Sequence, residues 1–149
     1  MSSSNVPQAV TSTASASEGL NALRPRMSYV AYHVSDVERA LAFYGTVLGM
    51  KEQMRLDLGG GVHEVVLTFP EAPAVGLILM WNEKRTEPYR LGDGYSRLVV
   101  RVSDVDAAME LLARHGVVVV KPATDAGSLR YSLVNDPDGY VVEFLQFKR

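Results

Sequence analysis

Val34-Ser35-Asp36-Val37 recurs as Val102-Ser103-Asp104-Val105, an offset of 68 residues. Ala40 and Leu41 map onto Ala108 and Met109 at the same offset. Four matching letters carry little weight alone, because Ser-Asp is common helix-capping chemistry. The constraint comes from the order of predicted elements, which repeats with them.

In the first half, residues 28–34 read as a strand, and Ser35-Asp36 opens a helix with Ser35 and Glu38 as its capping box. Across 37–48, Val37, Ala40, Leu41, Tyr44 and Leu48 recur at helical spacing, and Gly49 is the natural stop. Strands at 54–58, 63–69 and 75–82 follow, the first ended by Gly59-Gly60-Gly61. In the second half, 96–102 is a strand and Ser103-Asp104 caps a helix ending at His115-Gly116. Strands at 117–122, 130–134 and 140–147 complete it, with Asp136-Pro137-Asp138-Gly139 turning between the last two. This is a βαβββ unit written twice. Neither copy readily closes a core alone, so the two sheets must pack or join around a shared concave surface. The expected fold class is α+β, paired βαβββ modules forming a cup-shaped cavity.

With 149 residues the chain fits one domain. Eight of the first 20 residues are Ser or Thr and none is aromatic, so residues 1–26 read as a disordered tail. The domain is expected over 27–149: module one 27–82, linker 83–94, module two 95–149. Cysteine is absent, which excludes disulfide scaffolds, thiol nucleophiles and Cys-ligated clusters. A net charge of −2 argues against nucleic acid as a partner, since that needs a basic surplus. No run approaches the roughly 18 apolar residues of a membrane span, so no membrane partner is expected. The tail's start carries no positive charge and makes a poor secretory signal, so a cytoplasmic location is expected.

Phe43-Tyr44-Gly45-Thr46-Val47-Leu48-Gly49-Met50 and Asp136-Pro137-Asp138-Gly139-Tyr140-Val141-Val142-Glu143, set in paired modules, resemble the vicinal oxygen chelate superfamily. Its members include glyoxalase I, extradiol dioxygenases, methylmalonyl-CoA epimerase, fosfomycin resistance proteins and bleomycin-binding proteins. The resemblance covers residues 27–148, and small bacterial glyoxalase I is nearest in wording. It implies a homodimer. It also implies a divalent ion held by His or Glu on the first and last strand of each module. Carried over one by one, those positions are Tyr29, Leu79, Arg97 and Glu143, of which only Glu143 matches. The repeat relates Tyr29 to Arg97 independently, at the same offset of 68. Leucine cannot bind a metal, and a guanidinium that stays protonated would repel one. The expectation is therefore no metal and no other cofactor.

Strand alternation puts Tyr29, Ala31 and His33 on one face. It does the same for Arg97, Val99 and Arg101, for Leu77, Leu79 and Trp81, and for Val141, Glu143 and Leu145. If these faces line the cup, Arg97 and Glu143 meet there, either as a structural ion pair or as an anion anchor beside a base. The leading reading is a metal-independent isomerase or lyase that moves a proton next to a carbonyl of a small organic substrate. In it Glu143 is the base, His33 or Tyr29 the proton partner, and Arg97, Arg101, Trp81 and Leu79 the substrate contacts. The alternative is a metal-free protein that sequesters a small molecule such as an antibiotic, with Trp81 as an apolar wall. A third reading keeps a shifted metal on His33 and Glu143. Of the remaining histidines, His63 lies in the glycine hairpin region and His115 suits a helix C-terminus.

Overall fold

The computed structural model describes residues 19–149; residues 1–18, most of the expected tail, lie outside the described residues. A short 3-10 turn at Asn21–Leu23 comes first. Module one then runs β1 (Tyr29–His33), α1 (Val37–Leu41) with a π-helical continuation (Ala42–Val47), β2 (Lys51–Gly59), β3 (Val62–Phe69) and β4 (Ala72–Asn82). Module two runs β5 (Leu98–Arg101), α2 (Val105–Arg114), β6 (Val118–Ala126), β7 (Leu129–Asn135) and β8 (Val141–Phe147). The sheets are ordered β1-β4-β3-β2 and β5-β8-β7-β6, so the sequence repeat is a repeat in three dimensions. In each, the first strand pairs parallel with the last and the other pairs are antiparallel. A parallel pair needs a long crossover, which the intervening helix and two strands supply.

Several local expectations change. Asp36, not a Ser35–Glu38 box, caps α1: its Oδ1 accepts from the Arg39 amide at 3.0 Å. Asp104 does the same for α2 through the Ala107 amide at 3.0 Å. The predicted helix at 37–48 is one rod, but past Leu41 it widens into a π-helix, which apolar spacing cannot reveal. β2, β4 and β6 outrun their predicted spans because exposed residues at their ends continue the strand without alternating apolar signal. β5 is shorter than predicted. The Gly59–Gly61 hairpin holds φ of +82°, +67° and +88°, a left-handed run that glycine adopts at no steric cost. Gly76 is needed for space: a Cβ there would sit 2.1 Å from the Leu67 carbonyl oxygen.

One core serves both modules. Val34, Tyr44, Val65 and Leu79 from the first join Leu112, Val134, Val142 and Phe144 from the second. Across that core the Tyr44 hydroxyl donates to Asp136 Oδ2 at 2.7 Å. Asp136 Oδ1 accepts from the Asp138 and Tyr140 amides at 2.9 and 2.8 Å. The same turn grips the start of α1: the Ser35 amide donates to Asp138 Oδ1 (2.9 Å) and Arg39 Nη2 donates to the Pro137 carbonyl (3.1 Å). Tyr140 donates its hydroxyl to the His33 carbonyl at 2.9 Å. Burial pushes the Asp136 carboxyl above the usual aspartate range, against the lowering effect of its three donors. Burial also pushes the Tyr44 hydroxyl far up, so it remains a donor.

Tyr44→Phe leaves a buried carboxylate one donor short and should cost about 1–3 kcal/mol in urea unfolding, without loss of the fold. Asp136 binds its proton more tightly folded than unfolded. Its contribution is therefore full at low pH and lost as pH rises from the ordinary aspartate range through the raised value. Asp136→Asn lacks that titration, so the stability difference, wild type minus variant, should fall as pH rises across the acidic range. A flat difference contradicts the account of this carboxyl.

Candidate functional site

In module two, the register sets Val99 and Leu133 beside Glu143, and Tyr131 beside Leu145. These side chains share one face, while Leu98, Val100, Val142 and Phe144 turn inward to the core. Arg97, just before β5, reaches across that face and donates Nε–H to Glu143 Oε2 at 2.5 Å. Its Nη1 donates to Ser96 Oγ at 3.1 Å. The Glu143 side chain is 10% exposed and that of Arg97 46%, so a nearly buried carboxylate meets a guanidinium open to solvent. Glu143 Oε1 and Arg97 Nη2 carry no hydrogen bond among the described residues.

In module one, β1 runs parallel to β4 with Tyr29, Ala31 and His33 beside Gly76, Ile78 and Met80. Ile78 therefore stands on the face of Tyr29, and Leu79 does not. Leu79 pairs with Tyr32 and Val65 and is fully buried in the core. Its expected place on the cup face is corrected by one residue, and such a slip flips every side chain of a strand. The apolar run along β4 hides the alternation that would have fixed the register. Trp81 is corrected with it: the indole lies on the core face, stacked on His63 at 5.2 Å and 25°, with Arg55 5.7 Å above its ring. It is no wall of the cup.

Tyr29 is 44% exposed, and His33 stacks on linker residue Tyr89 at 4.7 Å and 16°. Arg85 covers the Tyr89 ring at 4.1 Å. No hydrogen bond or ion pair joins Tyr29 or the His33 ring to Arg97 or Glu143 among the described residues. Arg101 shares the Glu143 face by register, but its guanidinium lies over the Phe147 ring at 4.7 Å. His63 faces Glu83 at 3.1 Å away from the cup face, and His115 caps α2. Sequence reasoning missed Lys121, which holds the Tyr131 hydroxyl at 2.5 Å beside the Glu143 face. The register shifts on both sides of Lys121 explain why alternation could not place it.

Tyr29, Ile78 and Arg97 offer no ligand for a divalent ion, and Glu143 already has one oxygen held by a permanent cation. Among the described residues no cluster of three His, Cys, Asp or Glu is arranged to hold a metal. A site shared by His33 and Glu143 finds no support either, since among the described residues no third ligand joins them. The donor set does not fit the ion that the resemblance implied. Among the described residues no helix is long and apolar enough to cross a membrane.

Paired βαβββ modules, with a carboxylate on the face of the last strand, define a glyoxalase-like architecture. The model of the Glyoxalase/Bleomycin resistance protein/Dioxygenase superfamily matches residues 26–144. The lactoylglutathione lyase of Neisseria meningitidis is 34% identical over 131 residues, covering 83% of this chain and 91% of that protein. Glyoxalase I from Zea mays superposes with a TM-score of 0.75 at 26% identity, over 83% of this chain but only 45% of the maize chain. The trypanothione-dependent glyoxalase I of Leishmania major gives a TM-score of 0.72 at 29% identity, over 82% and 86% of the two chains. The chain belongs to the Glyoxalase/Bleomycin resistance protein/Dioxygenase superfamily, on its glyoxalase-like lyase side.

The face assignment is testable by truncation. Leu79→Ala empties a core site and should cost about 2–5 kcal/mol in denaturant unfolding, while Ile78→Ala on the open face should cost clearly less. Equal losses contradict the register.

Proposed function

We propose that the chain catalyses a glyoxalase-like proton shift next to a carbonyl of a small organic substrate, without a metal. By the names of its relatives, the first candidate substrate is the thiol adduct of a 2-oxoaldehyde, which such a shift converts into a 2-hydroxyacyl thioester. The observation that carries the proposal is Glu143, nearly buried on an open face, with one oxygen held by Arg97 and the other without a partner among the described residues.

In this mechanism Glu143 Oε1 takes the proton from the carbon bearing sulfur and oxygen, then returns it to the neighbouring carbon. Arg97 Nη2 binds the oxygen on which negative charge develops, the role a preorganised cation serves best in a partly dry site. The Arg97 bond to Oε2 holds the carboxylate at a fixed angle. Tyr29 or His33 is the proton partner. Both stand on the open face of module one, so the reading includes a homodimer in which one chain's module-one face meets the other's module-two face. Arg101 and Lys121 add positive charge beside Glu143 and suit an anionic substrate.

Steady-state kinetics with the methylglyoxal adducts of glutathione and other small thiols test this. Activity should survive exhaustive chelation. Glu143→Gln should lower kcat by about a hundredfold or more with little change in KM. Unchanged turnover in Glu143→Gln, activity abolished by the chelator, or stoichiometric binding with no turnover would each contradict the proposal.

A further inference from the structure

Away from the sheet faces, a cavity of about 570 Å³ opens where the modules meet. Module one supplies Arg39, Phe43 and Thr46; module two supplies His115, Val117 and Asn135. Its volume lies within the range of small-molecule sites. Phe43, nearly fully buried, and Val117 provide an apolar floor.

Among the polar side chains that line it, Arg39 is donor-only, and Thr46, His115 and Asn135 can each donate. Arg39 uses one Nη2–H on the Pro137 carbonyl and has no carboxylate partner among the described residues. The side chains of His115 and Asn135 likewise make no hydrogen bond among them. The one carboxylate in the wall, Asp136, has both oxygens engaged by Tyr44 and two backbone amides. An uncompensated guanidinium, an imidazole and an amide above an aromatic floor favour a ligand with an anionic head and a small apolar body.

A second observation comes from the backbone. Phe43 and Thr46 both belong to the π-helical stretch, where the Leu48 amide bonds back to the Phe43 carbonyl at 2.9 Å. Such widened turns are rare and recur at functional sites. Here the turn sends Phe43 to the cavity floor while Tyr44, one residue on, bonds to Asp136.

We infer that this inter-module cavity is a second ligand site, separate from the Arg97–Glu143 face, for small organic phosphates or carboxylates with an aromatic or aliphatic body. Because its walls come from both modules, an occupant clamps them together and stabilises the folded chain. The inference does not rest on the proposed reaction.

Phenyl phosphate serves as the probe, read by calorimetric titration and thermal unfolding of the full chain. Wild type should bind it saturably at millimolar concentrations or below and gain Tm. Arg39→Gln combined with His115→Ala should weaken binding about tenfold or more, the loss expected for charge-assisted hydrogen bonds. Thr46→Trp keeps Arg39 and His115 but fills the space, and should also abolish binding; circular dichroism checks that each variant is folded. Glu143→Gln should bind as wild type does. The inference is overturned by the absence of saturable binding, by equal affinity in the double variant and in Thr46→Trp, or by loss of binding in Glu143→Gln, which would put the ligand at the sheet face.

Discussion

The contact between Tyr44 and Asp136 is where the two halves of the molecule are tied together. A buried carboxylate demands donors, and the D-P-D-G turn supplies two from its own backbone while module one supplies the third. That third donor is the hydroxyl of a residue on the π-helical stretch, so the widened helix and the turn are fixed by the same bond. Ser35, Arg39 and His33 attach to the same few residues of module two. With helices and turn locked on one side, the sheets present Tyr29, Ala31 and His33 in one module, and Val99 and Glu143 in the other, as faces free of the core.

Glu143 is held in a different way. A carboxylate that is only 10% exposed is costly to bury without a partner, and Arg97 provides one by donating Nε–H to Oε2. In a metal-binding relative of this architecture, the compensating charge at that strand would come from the ion. In the proposed reading it comes from Arg97, whose Nη2 carries no hydrogen bond among the described residues. In the proposed reaction Arg97 and Glu143 serve as electrophile and base side by side, the minimum that a proton shift beside a carbonyl requires.

Much of this was legible in the letters. Element order repeated around matching capped helices 68 residues apart predicts two modules, while Arg97 and Glu143 come from the family resemblance, with strand alternation placing them on one face. The failures have physical causes. β4 is apolar on both faces over much of its length, so nothing in its composition separates Ile78 from Leu79, and Trp81 was carried to the wrong side with it. The widened turn after Leu41 depends on which carbonyl each amide chooses, a choice that period counting cannot detect. Lys121 escaped because bulges interrupt the period of β6. Tyr89, which stacks on His33, lies in a linker without any periodicity. The role of Asp136 was missed because turn chemistry alone explained the residue well.

The central claim is that Arg97 and Glu143 occupy the position of a metal centre and leave no place for the ion. Its most direct test is the metal content of the purified chain after equilibration with zinc and with nickel, followed by dialysis and elemental analysis. The account predicts no stoichiometric metal. One equivalent of either metal per chain, retained on dialysis and lost in Glu143→Gln, would contradict it.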